Sequence, residues 1–132
     1  MPNLTPQAIV EEMYISDQEL ELLAKQYAWF KGQKDHWKDK WDFAVAKGTI
    51  EFTGPATKSK AGGLLWASQQ LVEIPWLDGA VVYLPDMVRL TESSFDLIAK
   101  AYNRMETHIG ILQSVNKNVM QDYGRASQLE YT

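Results

Sequence analysis

The sequence predicts a mainly α protein: a long antiparallel helical hairpin, about 17–47 and 92–123, with a short N-terminal helix and a small mixed α/β insert over about 49–90. Three observations carry that expectation. Leu20, Leu23, Tyr27, Phe30, Lys34, Trp37, Trp41 and Ala44 recur at alternating intervals of three and four, the signature of one buried helix seam. Phe95, Ile98, Tyr102, Met105, Ile109, Leu112, Asn116, Val119 and Tyr123 repeat the pattern in the second half of the chain. With 132 residues, 45% of them hydrophobic, one domain can bury a core without disulfide or metal support, and the segment 48–91 reads as a head within it.

Taken in order, Thr5-Pro6 supplies an N-cap hydroxyl and a proline in the first turn, opening a short helix whose apolar face is Ile9, Val10, Met13 and Tyr14. Ser16 and Glu19 have the spacing of a capping box, which predicts a second start there. Gly48 after Lys47 predicts the stop. Thr49–Thr53 alternates as a strand would, 54–63 reads as a loop, and 64–73 as a helix that Pro75 ends. Asp78-Gly79 signals a turn, followed by a strand over 80–84 that would pair with 49–53. Thr91 is the expected N-cap of the last helix, Gly124 its end, and 125–132 a loose tail. If the two seams pair at positions adding to 139, Tyr27 meets Leu112, Lys34 meets Met105 and Leu23 meets Asn116.

Composition excludes several functions. The absence of cysteine rules out thiolate zinc sites, thiol redox chemistry and a cysteine nucleophile. No apolar run approaches the roughly 20 residues of a membrane span, and the first residues lack the basic start and apolar stretch of a signal peptide, so a cytoplasmic protein without membrane contact is expected. Neither histidine has glutamate three residues before it, as helix-bundle metal sites require, and His36 with Asp39 is a weak substitute. The run GPATKSKAGG has serine at position 59 where a phosphate-binding loop needs glycine. No serine stands in a nucleophile-elbow setting. No catalytic group, metal or cofactor is therefore expected.

What remains points to surfaces. Leu22, Trp29, His36 and Phe43 form a second stripe on the first long helix, about 100° from its seam, with the histidine read as a partly buried packing residue. One helix with two apolar faces needs two partners, and aromatic anchors dominate interface energetics. Asn116 and Lys34 break the seams, and polar seam residues commonly fix register or oligomer state. Residues 1–30 carry a net charge of −4 and residues 31–60 a net of +3, a polarity suited to head-to-tail contacts between copies. The expectation is a homo-oligomer, or the subunit or adaptor of a larger assembly. Small helical connector components of viral particles have this general look, an analogy of architecture without a motif. The alternative is a small nucleic-acid-binding regulator using Lys31, Lys34, Lys38, Lys40, Lys58 and Lys60; with so few lysines and interspersed acids, such binding is expected to be weak and salt-sensitive.

Overall fold

Thr5 caps the first helix as its sequence implies: its hydroxyl accepts the Ala8 N–H at 3.2 Å, and Pro6 occupies the first turn. In the computed structural model, which describes residues 5–130 and the side chains as far as Arg125, that helix, α1, runs unbroken from Pro6 to Ile50. The capping box does not form. Ser16 is 1% exposed inside the helix, because it continues the seam backwards: Ile9, Met13 and Ser16 precede Leu20 at the same alternation. A small hydroxyl residue in a seam packs there, and the separate short N-terminal helix is not observed.

Gly48 does not stop α1 either. The helix continues one half turn, with the Thr49 hydroxyl donating to the Val45 carbonyl at 2.8 Å. The glycine is needed for a close approach: a Cβ on Gly48 would lie 3.0 Å from the backbone of Gly63. The strand expected over 49–53 is absent for this reason, its first two residues belonging to the helix. A 3-10 turn, Ala56–Lys58, leads into helix α2, Ser59–Ser68, which begins inside the expected loop of 54–63 and covers only 64–68 of the helix expected over 64–73.

Two short strands follow, β1 (Leu71–Glu73) and β2 (Val81–Tyr83), antiparallel with Val72 opposite Val82. The strand near 80–84 is therefore present, but its partner is the segment assigned to the end of a helix rather than 49–53. Local pairing wins because the turn between them is short and well specified. Asp78 and Gly79 both have positive φ, 35° and 78°, the combination that Asp-Gly accepts in a tight turn.

The last helix, α3, runs from Leu84 to Glu130, with Pro85 in its first turn, where the missing N–H costs nothing. Thr91 is not its cap. It is fully buried about two turns further in, and its hydroxyl donates to the Met87 and Val88 carbonyls at 3.1 and 2.9 Å. Like Ser16, it lies on the backward extension of its seam. The expected loose tail is helical through Glu130; the last two residues of that expectation lie outside the described residues.

The molecule is mainly α, a long α1 with a long α3 packed against it and a small two-stranded insert. It comprises two compact units. One joins residues up to Tyr27 with those from Ile98 onward. There α1 and α3 run antiparallel: Tyr27 and Tyr102 rings lie 5.7 Å apart, Glu12 reaches His108, and Ile9, Ser16 and Ile109 are buried. The other unit is Ala28–Leu97, with a core of Trp37, Ala44, Ala67, Ile74, Leu84 and Met87 flanked by Trp41, Trp66 and Trp76.

The seams are those the spacing predicts, but the register between them is not. Tyr27 with Tyr102 and Glu12 with His108 add to 129 and 120, both well short of 139. In the other unit Lys34 meets Phe95, again adding to 129, and not Met105. These pairs fall 10, 19 and 10 short of 139, a slide of between one and three heptads. A slide of whole heptads returns each seam residue to an equivalent hole, so periodicity alone cannot choose between these registers.

Candidate functional site: the outer stripe of α1

Every seventh residue of α1 from Ile15 forms one line along the helix: Ile15, Leu22, Trp29, His36, Phe43, Ile50. All six are exposed, Phe43 at 68% and Ile50 at 83%, although five are aliphatic or aromatic. The spacing already contained Ile15 and Ile50; extending the stripe one heptad each way would have found them. On α3 the matching line carries exposed Leu90, Leu97 and Ile111, interrupted by Arg104.

The insert packs on this stripe at Trp29, which stands edge-on to Trp76 at 5.1 Å and, along its own helix, to Phe30 at 4.8 Å. His36 is exposed and not a packing residue; its ring stands edge-on to Trp37 at 5.1 Å. It lines a shallow depression with Asp39, Lys40 and Phe43, and Phe43, Ala46, Lys47, Ile50 and Glu51 line the next. The second is mainly apolar, whereas the first mixes the Phe43 ring with ionisable side chains that, among the described residues, form no ion pair with one another. Among the described residues, no three His, Asp or Glu side chains come together as a metal site would need.

The six lysines do not share a surface. Lys31 and Lys38 lie on one line of α1, whereas Lys40, nine residues from Lys31, points from the opposite side. Lys34 is half-buried on the seam with its Nζ 4.7 Å from the centre of the Phe95 ring, so it finds its partner within the chain. Lys58 and Lys60 are exposed on the 3-10 turn and α2. His108, also exposed, has its Nε2 3.4 Å from Glu12 Oε1 across the helix pair, where the ring N–H donates to the carboxylate, a contact that only the true register makes visible.

Asn116 is half-buried in the seam, and its Oδ1 is enclosed with no hydrogen-bond partner among the described residues. A buried acceptor left unpaired costs about 1–3 kcal/mol, so Asn116→Leu is expected to raise stability by about that amount. A denaturant titration of the two proteins reads it, and an unchanged midpoint would mean that the amide is satisfied.

No family model, curated protein or solved structure matches this chain. Among the described residues, no helix is long and apolar enough to cross a membrane. The class that the fold defines is a mainly α helical-hairpin protein, and any further reading rests on the stripe.

Proposed function

We propose that this chain is a non-catalytic assembly subunit or adaptor that works by protein–protein contact through the outer stripe of α1. The carrying observation is that one helix presents two apolar lines. The seam, from Ile9 to Gly48, is consumed by packing inside the chain, while Ile15, Leu22, Trp29, Phe43 and Ile50 stay in water. Isolated exposed apolar residues need no explanation, but a line repeating every heptad does, since it is the pattern that a second helix recognises. The partner is another copy of the chain, alone or within a larger structure such as a particle connector. The cytoplasm is the compartment that this reading assumes.

Light scattering across a concentration series tests it. The wild-type protein is expected to exceed the monomer mass by tens of micromolar. Phe43→Glu is expected to lower the association constant at least about tenfold, because a charge would have to be buried where a ring was. Its effect on the helix content should be negligible, Phe43 being exposed within the chain. A wild-type chain that remains monomeric at high micromolar concentration would remove the basis of the proposal.

A further inference from the structure

The two helices of the first compact unit divide charge between them. Over residues 6–27, α1 carries Glu11, Glu12, Asp17, Glu19 and Glu21 against Lys25, a net of −4; over 98–125, α3 carries Lys100, Arg104, Lys117 and Arg125 against Glu106 and Asp122, a net of +2. Each helix also exposes apolar residues away from the seam that joins the pair. On α1 these are Ile15 and Leu22, flanked by Glu11, Glu12 and Glu19; on α3 Ile111 shares a line with Arg104, flanked by Lys100 and His108. Arg104, His108 and Ile111 line a shallow depression there with Asn103 and Thr107. We infer that the acidic outer line of α1 docks on the basic outer line of α3 from a second copy, and that this head-to-tail contact repeats until it closes a ring of about three or four copies. The arrangement rests on the assembly reading and gives it a partner surface and a stoichiometry.

Charge selects the pairing. Two α1 lines brought together would face acids with acids, and two α3 lines bases with bases, whereas α1 on α3 sets opposite charges against each other. Glu19 and Arg104 are exposed and form no ion pair within the chain among the described residues, so their charges can act between copies. Lys25, the base on the α1 side, is held by Glu21 at 3.7 Å, and Glu106 lies on the far side of α3 from Arg104 and Ile111.

Angle sets the closure. At about 100° per residue, Ile15 and Leu22 lie about 130° around α1 from the centre of its seam, and Arg104 and Ile111 about 120° around α3 from the centre of its own. The contact of Glu12 with His108 falls between seam and outer line on both helices, so both outer lines turn toward the same face of the hairpin. A wall of helices that bends the same way by such angles closes after about six to eight helices, which is three or four copies. Copies related by rotation about an axis along the helices stand at one height, so levels inside the hairpin carry over between copies. Those levels add to between 120 and 129. Ile15 with Ile111 and Leu22 with Arg104 both add to 126, and Glu19 with Arg104 to 123, so the apolar and the charged partners meet in one register.

The experiment uses the full chain. Sedimentation equilibrium is expected to reach about three or four times the monomer mass and to stop there. Glu19→Lys and Arg104→Glu are each expected to raise the concentration of half-assembly about three- to tenfold, and the variant carrying both to return within about threefold of wild type. Since the chain has no cysteine, engineered thiols report position without background. A short bis-maleimide should join Ile15→Cys to Ile111→Cys when the two proteins are mixed, and should join neither to itself. Self-linking of Ile15→Cys, a mass that stops at the dimer or grows without limit, or a double variant as weak as the singles would overturn the ring, while an oligomer that Phe43→Glu weakens left the assembly reading standing. A monomer at every concentration would overturn both.

Discussion

Gly63→Val is expected to be among the most damaging single substitutions in this chain, lowering stability by about 3–5 kcal/mol. A Cβ at this position would stand 2.7 Å from the Thr49 amide nitrogen and 2.8 Å from the Val45 carbonyl oxygen, and closer still to the Thr49 hydroxyl. Two of those three obstacles are helix backbone, which cannot rotate away. To admit the side chain, α2 must lift off α1, and Ala67, fully buried, with Trp66 beside it, loses its packing. The sign is diagnostic even for Gly63→Ala, because alanine is worth roughly 1 kcal/mol more than glycine inside a helix and would otherwise stabilise. Gly110 is the control. Nothing lies within 4 Å of the Cβ it would acquire, so Gly110→Ala should raise stability by up to about 1 kcal/mol. Denaturant unfolding of the three variants decides the matter, and equal shifts at 63 and 110 would contradict the close crossing.

Met87→Ala is the second large effect, with an expected cost of about 2–5 kcal/mol. The side chain is 0% exposed at the centre of the core that α1, α2, the strands and α3 share within the Ala28–Leu97 unit. Removing it forfeits both the transfer free energy of the thioether chain and the contacts of the residues that line the space. Those neighbours are large and rigid, Trp37 foremost, and cannot collapse far into a cavity. A fall in melting temperature of roughly 10 °C is expected for a domain of this size. Phe43→Ala is the comparison: it removes a larger side chain from water rather than from a core, and should change the melting temperature little at concentrations where the chain is dissociated. If both variants melt alike, the core has been misplaced.

Both seams were legible in the sequence because heptad spacing is a local property of one helix. Leu20 to Ala44 and Phe95 to Val119 are all buried or half-buried where the spacing puts them. The exposed stripe through Leu22, Trp29 and Phe43 was legible for the same reason. Thr5 and Asp78-Gly79 acted as their local chemistry dictates. Signals of the same kind failed at Ser16, Gly48 and Thr91. Each has a residue type that suits a helix end, and each sits on a seam that runs through it; burial along the whole line outweighs one optional cap, so the helices continued.

Tertiary structure alone decided the rest. Strand 81–83 had two conceivable partners, and the tight Asp78-Gly79 turn delivered it to Leu71–Glu73, while Gly48 and Gly63 drew 49–50 into a helix crossing. Most of all, it fixed the register. A seam repeats every seven residues, so a slide by whole heptads keeps the apolar lines facing and changes only which particular side chains meet. What separates the two arrangements is the fit of Lys34 to Phe95, of Glu12 to His108 and of the insert to both helices at once. Those are contacts between residues far apart in the chain, and no spacing within either helix encodes them.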